Sequence, residues 1–167
     1  MKKIVCLVLA LTIAHFAAQT FAGSAFEVVD GDSLQTPSRR IRLVGIDAPE
    51  YFQECEDSQG KKYKCGKQAK AYLENLIKKG YANGKKLKCR TEGVDRYNRE
   101  LSVCYIGDVE LNFEMVKSGN AVSYKNEKYS LVEKRAKQRS KGIWQGKFMR
   151  PEIYRAIKRE QEKQKNS

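Results

Sequence analysis

Three carboxylates and two arginines stand at or near turns and strand ends. Asp32 lies in Val29-Asp30-Gly31-Asp32-Ser33-Leu34, while Arg42, Asp47 and Glu50 lie in Arg42-Leu43-Val44-Gly45-Ile46-Asp47-Ala48-Pro49-Glu50. Each stretch is a run of β-branched or aliphatic residues ending in acids beside Gly or Pro. That is the pattern of a strand delivering carboxylates to its own end. Brought together, Asp32, Asp47 and Glu50 near Arg42 suit a hard divalent cation and an anionic substrate. Taken singly, each stretch also fits a surface turn in which Asp bonds its own backbone. Arg99, in Asp95-Arg96-Tyr97-Asn98-Arg99, adds a second guanidinium from a separate turn. Two guanidiniums can hold a phosphate through paired N–H donors and follow its charge as it grows. A nearby carboxylate can position and deprotonate a water. Calcium takes roughly six to eight oxygen ligands, so two carboxylates, a backbone carbonyl and waters make an open site.

Histidine and cysteine counts narrow the chemistry. The chain begins with Lys2 and Lys3, an apolar run from Ile4 to Ala18, and then Gln19-Thr20-Phe21-Ala22-Gly23. This predicts a secretory signal peptide over residues 1–22, cleaved after Ala22. The apolar run falls short of the ~20 residues that span a bilayer, so no membrane anchor is expected. The single histidine, His15, leaves with that segment. Ser-His-Asp and histidine–metal designs are thereby ruled out, and acid–base work falls to carboxylates. Loss of Lys2 and Lys3 lowers the formal charge from +13 to +11. A basic domain of about 145 residues with nine tyrosines is expected to attract polyanions.

Apart from Cys6, four cysteines remain: Cys55, Cys65, Cys89 and Cys104. An even number in an exported chain predicts two disulfides in one of three pairings. No close C-x-x-C pair argues for zinc.

Phe26–Val29, Ser33–Thr36 and Arg40–Ile46 form a three-strand meander turning at Asp30-Gly31 and Pro37-Ser38. Tyr51–Gly66 is a polar loop. Ala69, Tyr72, Leu73, Leu76 and Ile77 recur at helical spacing and predict an amphipathic helix over Gly66–Lys79, stopped by Gly80. Lys85–Thr91 and Glu100–Ile106 form a hairpin centred between Arg96 and Tyr97. Cys89 and Cys104 then face each other, which pairs them and leaves Cys55 with Cys65. Asn112 is expected to cap a short helix through Lys117 that ends at Gly119. Ser130-Leu131-Val132-Glu133 matches a capping box for a helix to about Ser140, with Gly142 as its stop. Ile143 and Trp144 read as core anchors, and a basic helix or tail occupies 149–167.

This order of elements predicts an α+β fold, mainly β: a five-stranded Greek-key barrel with three packed α-helices. One domain over residues 23–148 is expected between the signal peptide and the tail.

From about Phe26 to Trp144, and onward to about Tyr154, the chain resembles the staphylococcal nuclease (thermonuclease) family. The resemblance is carried by Asp30-Gly31-Asp32-Ser33, Arg42 with Ile46-Asp47-Ala48-Pro49-Glu50, Asp95-Arg96-Tyr97-Asn98-Arg99, and Gly142-Ile143-Trp144. It implies an OB-fold barrel and a Ca²⁺-dependent phosphodiesterase acting on DNA and RNA. By matching positions, Asp32, Asp47 and the Ala48 carbonyl would bind Ca²⁺. Arg42 and Arg99 would contact the scissile phosphate, and Glu50 would be the general base or orient the attacking water. Breaking the 5′ P–O bond would leave 3′-phosphate ends. Tyr97 would lie along the nucleotide, and Tyr124 is chosen over Tyr129 as the residue stacking on the base. Ala48 stands where the family has Thr, Ser33 also for Thr, and Asn98 for Gly; the Cys55–Cys65 loop is longer.

The expected substrate is single-stranded or unstructured nucleic acid, and the protein is expected to be an exported monomer, periplasmic or secreted. The alternative is a non-catalytic OB-fold module binding nucleic acid or another polyanion. The intact set of Arg42, Glu50 and Arg99 discriminates, because a pure anion binder has no use for a carboxylate at its site. A weaker alternative is a cationic surface-binding protein.

Overall fold

A computed structural model describes residues 26–125 and 127–166. The expected signal peptide lies outside the described residues.

The meander forms as its turns predict. β1 (Glu27–Asp30) pairs antiparallel with β2 (Ser33–Gln35), and β2 with β3 (Arg40–Leu43). The β1–β2 register shifts between Val28 and Asp30, an irregularity that re-aims the acidic turn. The third strand is shorter than predicted: it breaks at Val44-Gly45, and β4 (Ile46–Asp47) pairs instead with β10 (Val122–Ser123). The polar loop contributes β5 (Cys55–Glu56) and β6 (Lys62–Tyr63), paired with each other.

Helix α1 (Cys65–Ala82) buries Ala69, Leu73 and Ile77, with Tyr72 and Leu76 packed at the margin. It runs past Gly80, the expected stop. A Cβ at Gly80 would lie 1.9 Å from Ile106 Cγ1, so this glycine serves close packing on the sheet.

β7 (Leu87–Val94) and β8 (Glu100–Ile106) form the hairpin, with Cys89 opposite Cys104. Disulfides join Cys89 to Cys104 and Cys55 to Cys65. β9 (Val109–Glu110) adds to β8. The decisive long-range pairing is β3 with β8, in parallel, which sets Ile41 beside Glu100 and Arg42 beside Leu101. The main sheet therefore runs β1-β2-β3-β8-β7. Among the described residues no strand pair closes it into a barrel.

Helices α2 (Leu111–Lys117) and α3 (Ser130–Gln138), a 3₁₀ turn at Gly142–Gln145 and α4 (Pro151–Lys165) complete the fold. The described residues thus contain four α-helices where three were expected, the fourth being the basic C-terminal segment. Two caps differ from expectation. Asn112 lies inside α2, fully buried, accepting from the Cys104 amide at 3.0 Å and donating to Val44 O at 2.9 Å and Ser102 O at 3.2 Å. Those bonds tie the helix to β8 and to the break after β3, a stronger demand than capping. Glu133 does not return to Ser130; its Oε1 accepts from the Ser123 amide at 3.2 Å, while Ser130 Oγ donates to Glu127 O at 2.7 Å.

One core cluster, including Leu34, Ile41, Leu43, Leu73, Leu111 and Met115, lies between sheet and helices. A second gathers Cys55, Cys65, Val122 and Ile143, with Trp144 only partly buried against it.

Candidate active site

Asp32 leaves the β1–β2 turn for the interior. Its Oδ2 accepts from the Ala48 amide at 2.8 Å, and its Oδ1 accepts from Ser33 Oγ at 3.0 Å. The two acidic stretches therefore meet. Gly31 permits it: a Cβ there would lie 2.7 Å from Ala48 Cβ and 2.8 Å from Ala69 Cβ, so turn, β4 end and α1 pack backbone to side chain. The small Ala48 and Ala69 are matched to that approach.

Asp47 is fully buried and Glu50 is 36% exposed at its side chain. The loop bearing Glu50 is held by Gln53, which sequence reasoning missed. Gln53 N donates to Glu50 O at 2.7 Å, its Oε1 accepts from Glu50 N at 3.2 Å, and its Nε2 donates to Met149 O at 2.6 Å. Cys65 Sγ, bridged to Cys55, lies 3.4 Å from Gln53 O. The disulfide thus braces the loop two residues beyond the one that frames Glu50.

Arg42 reaches across from β3. Its Nη1 ion-pairs with Asp32 Oδ2, and its Nη2 donates to Asp47 Oδ1 at 2.7 Å and to Ile46 O at 3.2 Å. Arg99 arrives through the parallel β3–β8 pairing, at the end of the β7–β8 turn. Asn98 takes a left-handed φ of 59° there, a conformation Asn tolerates. Asp95 fixes the turn, accepting from the Tyr97 and Arg99 amides at 2.8 and 3.0 Å and from Arg99 Nε at 2.9 Å.

Arg42, Arg99, Asp32 and Glu50 line one cavity of 830 Å³, and Tyr97 and Tyr124 line it too. Tyr97 is half-exposed, with the Arg96 and Arg99 guanidiniums 4.9 and 5.7 Å from its ring centre. Tyr129 is buried away from the cavity and donates to Glu110 Oε1 at 2.6 Å, so of the two candidate tyrosines only Tyr124 faces it.

The acids are crowded. Burial, then the charge of Asp32, push the Asp30 carboxyl up to about 7. Burial opposes the Asp32 charge too, but Arg42 and the Ala48 amide prevail and hold its carboxyl below the usual range. Asp47 is raised, first by burial, despite its bonds to arginine. This set of buried carboxylates repelling one another fits a hard, oxygen-seeking cation. Among the described residues, no group of three or more His, Cys, Asp or Glu side chains is arranged to hold a metal ion. Asp32 and Asp47 would need the Ala48 carbonyl and water to complete a shell, the set the motif implies.

A further residue came without warning from the sequence. Arg155, on α4, donates through Nη1 to Asp47 Oδ1 at 2.9 Å and Glu50 Oε1 at 2.8 Å, and through Nη2 to Asp47 Oδ2 at 2.9 Å. Arg159 and Glu152 of the same helix line the cavity as well. The only sequence signal was the basic character of the tail.

The family described as "Staphylococcal nuclease homologue" matches residues 40–146, which include Arg42, Asp47, Glu50 and Arg99 but not Asp32. The succinoglycan biosynthesis protein ExoI of Rhizobium meliloti is 33% identical over 141 residues, covering 81% of this chain and 71% of its own. A probable endonuclease, LCL3, of Komagataella phaffii is 28% identical over 151 residues, covering 78% of this chain and 61% of its own. The thermonuclease of Staphylococcus intermedius is 29% identical over 130 residues, covering 71% of this chain and 73% of its own.

Proposed function

This chain belongs to the staphylococcal nuclease family, and on that premise we propose that it is an exported, Ca²⁺-dependent nuclease hydrolysing DNA and RNA to 3′-phosphate ends. The observation that supports the reading is the convergence of Arg42, Arg99 and Glu50 on one cavity beside Asp32. Arg42 comes from β3, Glu50 from the loop after β4, and Arg99 from the distant β7–β8 turn. A site that only bound polyanions would gain nothing from Glu50 among its arginines.

The residues divide the work by chemistry. Asp32, Asp47 and the Ala48 carbonyl would hold Ca²⁺, which supplies phosphate charge neutralisation when bound. Glu50 accepts a proton from a water whose oxygen forms the new bond to phosphorus. The P–O5′ bond breaks, the 5′ oxygen leaves and is protonated, and the phosphate stays on the 3′ side. Arg42 and Arg99 donate to the non-bridging oxygens and bind most strongly as phosphorus gains its fifth oxygen. To do so, each guanidinium must exchange part of its pairing with Asp47 or Asp95 for phosphate.

Tyr97 and Tyr124 would flank the nucleotide, favouring single-stranded or unstructured substrate whose bases are free to stack. The other cationic side chains add affinity that weakens with salt. We further infer a closed OB-fold barrel for the sheet, a nuclease domain over 23–148, a monomer, and export to a periplasm or the medium after removal of residues 1–22. No helix among the described residues is long and apolar enough to cross a membrane.

The test is to incubate the oxidised mature protein with single-stranded DNA, with Ca²⁺ and then with chelator. Cleavage to 3′-phosphate ends only with the metal is expected. Binding without cleavage in either condition would leave the non-catalytic module as the reading.

A further inference from the structure

Asp47 is fully buried and accepts from two guanidiniums. Its Oδ1 takes Arg42 Nη2 and Arg155 Nη1, and its Oδ2 takes Arg155 Nη2. A carboxylate offers about four lone-pair positions, so three are spoken for. A cation using more than the last one must break bonds to arginine. A cation using only that one would still sit against like charge.

The two arginines are not equally free to yield. Arg42 is 11% exposed, sits on a strand within the main sheet, and is also bound to Asp32 and Ile46 O. Arg155 is 29% exposed and rides on α4, in which Pro151 is the buried residue. Polar contacts anchor the start of that helix: the Arg155 fork and, in the two residues before it, Arg150 Nη2 to Ser123 O at 3.2 Å and Gln53 Nε2 to Met149 O at 2.6 Å. Of the two, Arg155 has less to lose by moving.

We propose that Arg155 is a resident cation of the acidic site, displaced from Asp47 when a divalent ion binds. The inference rests on the phosphodiesterase reading above, in which Asp47 is a metal ligand and Glu50 the base. Because one nitrogen of Arg155 holds both Asp47 Oδ1 and Glu50 Oε1, the same displacement frees that Glu50 oxygen to accept from water. Metal entry and exposure of the base are thereby one event, and α4 is the element that reports it.

The test is calorimetric titration of Ca²⁺ into the full mature protein, compared with Arg155→Gln and Asp47→Asn. Removing the competing charge should tighten Ca²⁺ binding by about tenfold or more, which is roughly 1.4 kcal/mol. Equal or weaker binding by folded Arg155→Gln, with binding lost in Asp47→Asn, overturns the inference and leaves the metal site standing. Unchanged binding in Asp47→Asn overturns the site assignment itself, and the inference with it. A second measurement needs no variant: amide exchange over residues 155–165 of the unmutated protein should quicken on Ca²⁺ addition. Exchange unaltered at saturating Ca²⁺ overturns the displacement.

Discussion

Gly31 and Ala48 meet so closely that a Cβ on Gly31 would stand 2.7 Å from the Ala48 methyl carbon. This contact joins the turn carrying Asp32 to the strand end carrying Asp47. Both obstructing groups, Ala48 and Ala69, are short side chains on packed backbone and cannot swing aside. Gly31→Ala is expected to cost roughly 1–3 kcal/mol, the usual range for overpacking a tight interior. It should also weaken Ca²⁺ binding by moving Asp32 from the Ala48 amide. Thermal unfolding and metal titration of the same variant check both; full retention of both would contradict the packing account.

Glu50 is framed by Gln53, and its partly exposed carboxylate lines the cavity while accepting from Arg155. Glu50→Gln preserves its size and removes its basicity. Turnover on single-stranded DNA should fall by about 10²–10⁴-fold, the range for a positioned general base. Binding of a nucleotide inhibitor should largely survive. Turnover that stays at the starting level would remove Glu50 from the mechanism.

Arg42 uses a planar fork to reach Asp32 and Asp47 from one side, a geometry that an ammonium group cannot reproduce. Arg42→Lys should lower kcat by about 10²–10³-fold, as loss of a preorganised donor to a developing oxyanion does. Steady-state kinetics, with Ca²⁺ saturating for each protein, gives the comparison. A variant changed only in KM would place Arg42 in ground-state binding.

The Cys55–Cys65 bridge lies in the second core cluster and braces the Glu50 loop through Gln53. Replacing both cysteines by serine should cost roughly 2–5 kcal/mol, typical of removing a native bridge from a small domain. Denaturant unfolding measures this. An unchanged midpoint would mean that packing around Val122 and Ile143 holds the loop without the bond.

Glu100 accepts from Arg39 Nη2 at 2.6 Å and Nε at 2.8 Å, and from Thr91 Oγ1 at 2.8 Å. Arg39 first, then Thr91, draw its carboxyl down from 4.5 to about 2. The folded value lies below the unfolded one, so the stabilisation is present above pH 4.5 and is lost as pH falls toward about 2. The side chain is 27% exposed and solvent screening keeps the effect small. Across that window Glu100→Gln should show a shallower fall in Tm than the parent protein. Parallel Tm profiles would count against this pair as a source of the acid sensitivity.

The local elements were legible because their signals are local. The Asp-Gly and Pro-Ser turns mark the meander, and the spacing of Ala69, Leu73 and Ile77 marks the face of α1. Cys89 and Cys104, equidistant from the hairpin centre, mark its register. Where a residue had a long-range duty, local reading misled. Asn112 looked like a cap and instead satisfies strand groups; Gly80 looked like a stop and instead admits Ile106.

Which functional groups exist follows from the sequence: acids at the ends of the early strands, one arginine on a strand and one at a turn, and no histidine beyond His15. Composition and short spacing are enough to specify such a set, because side-chain chemistry does not depend on distant partners. Tertiary structure alone decided how the groups meet. The parallel β3–β8 pairing brings the Arg99 turn beside Arg42, and the close approach at Gly31 brings Asp32 to Ala48. The return of α4 sets Arg155 on Asp47, 108 residues earlier in the chain. Contacts across such separations follow from strand pairing and buried charge seeking partners, neither of which has a period or spacing to read along the chain.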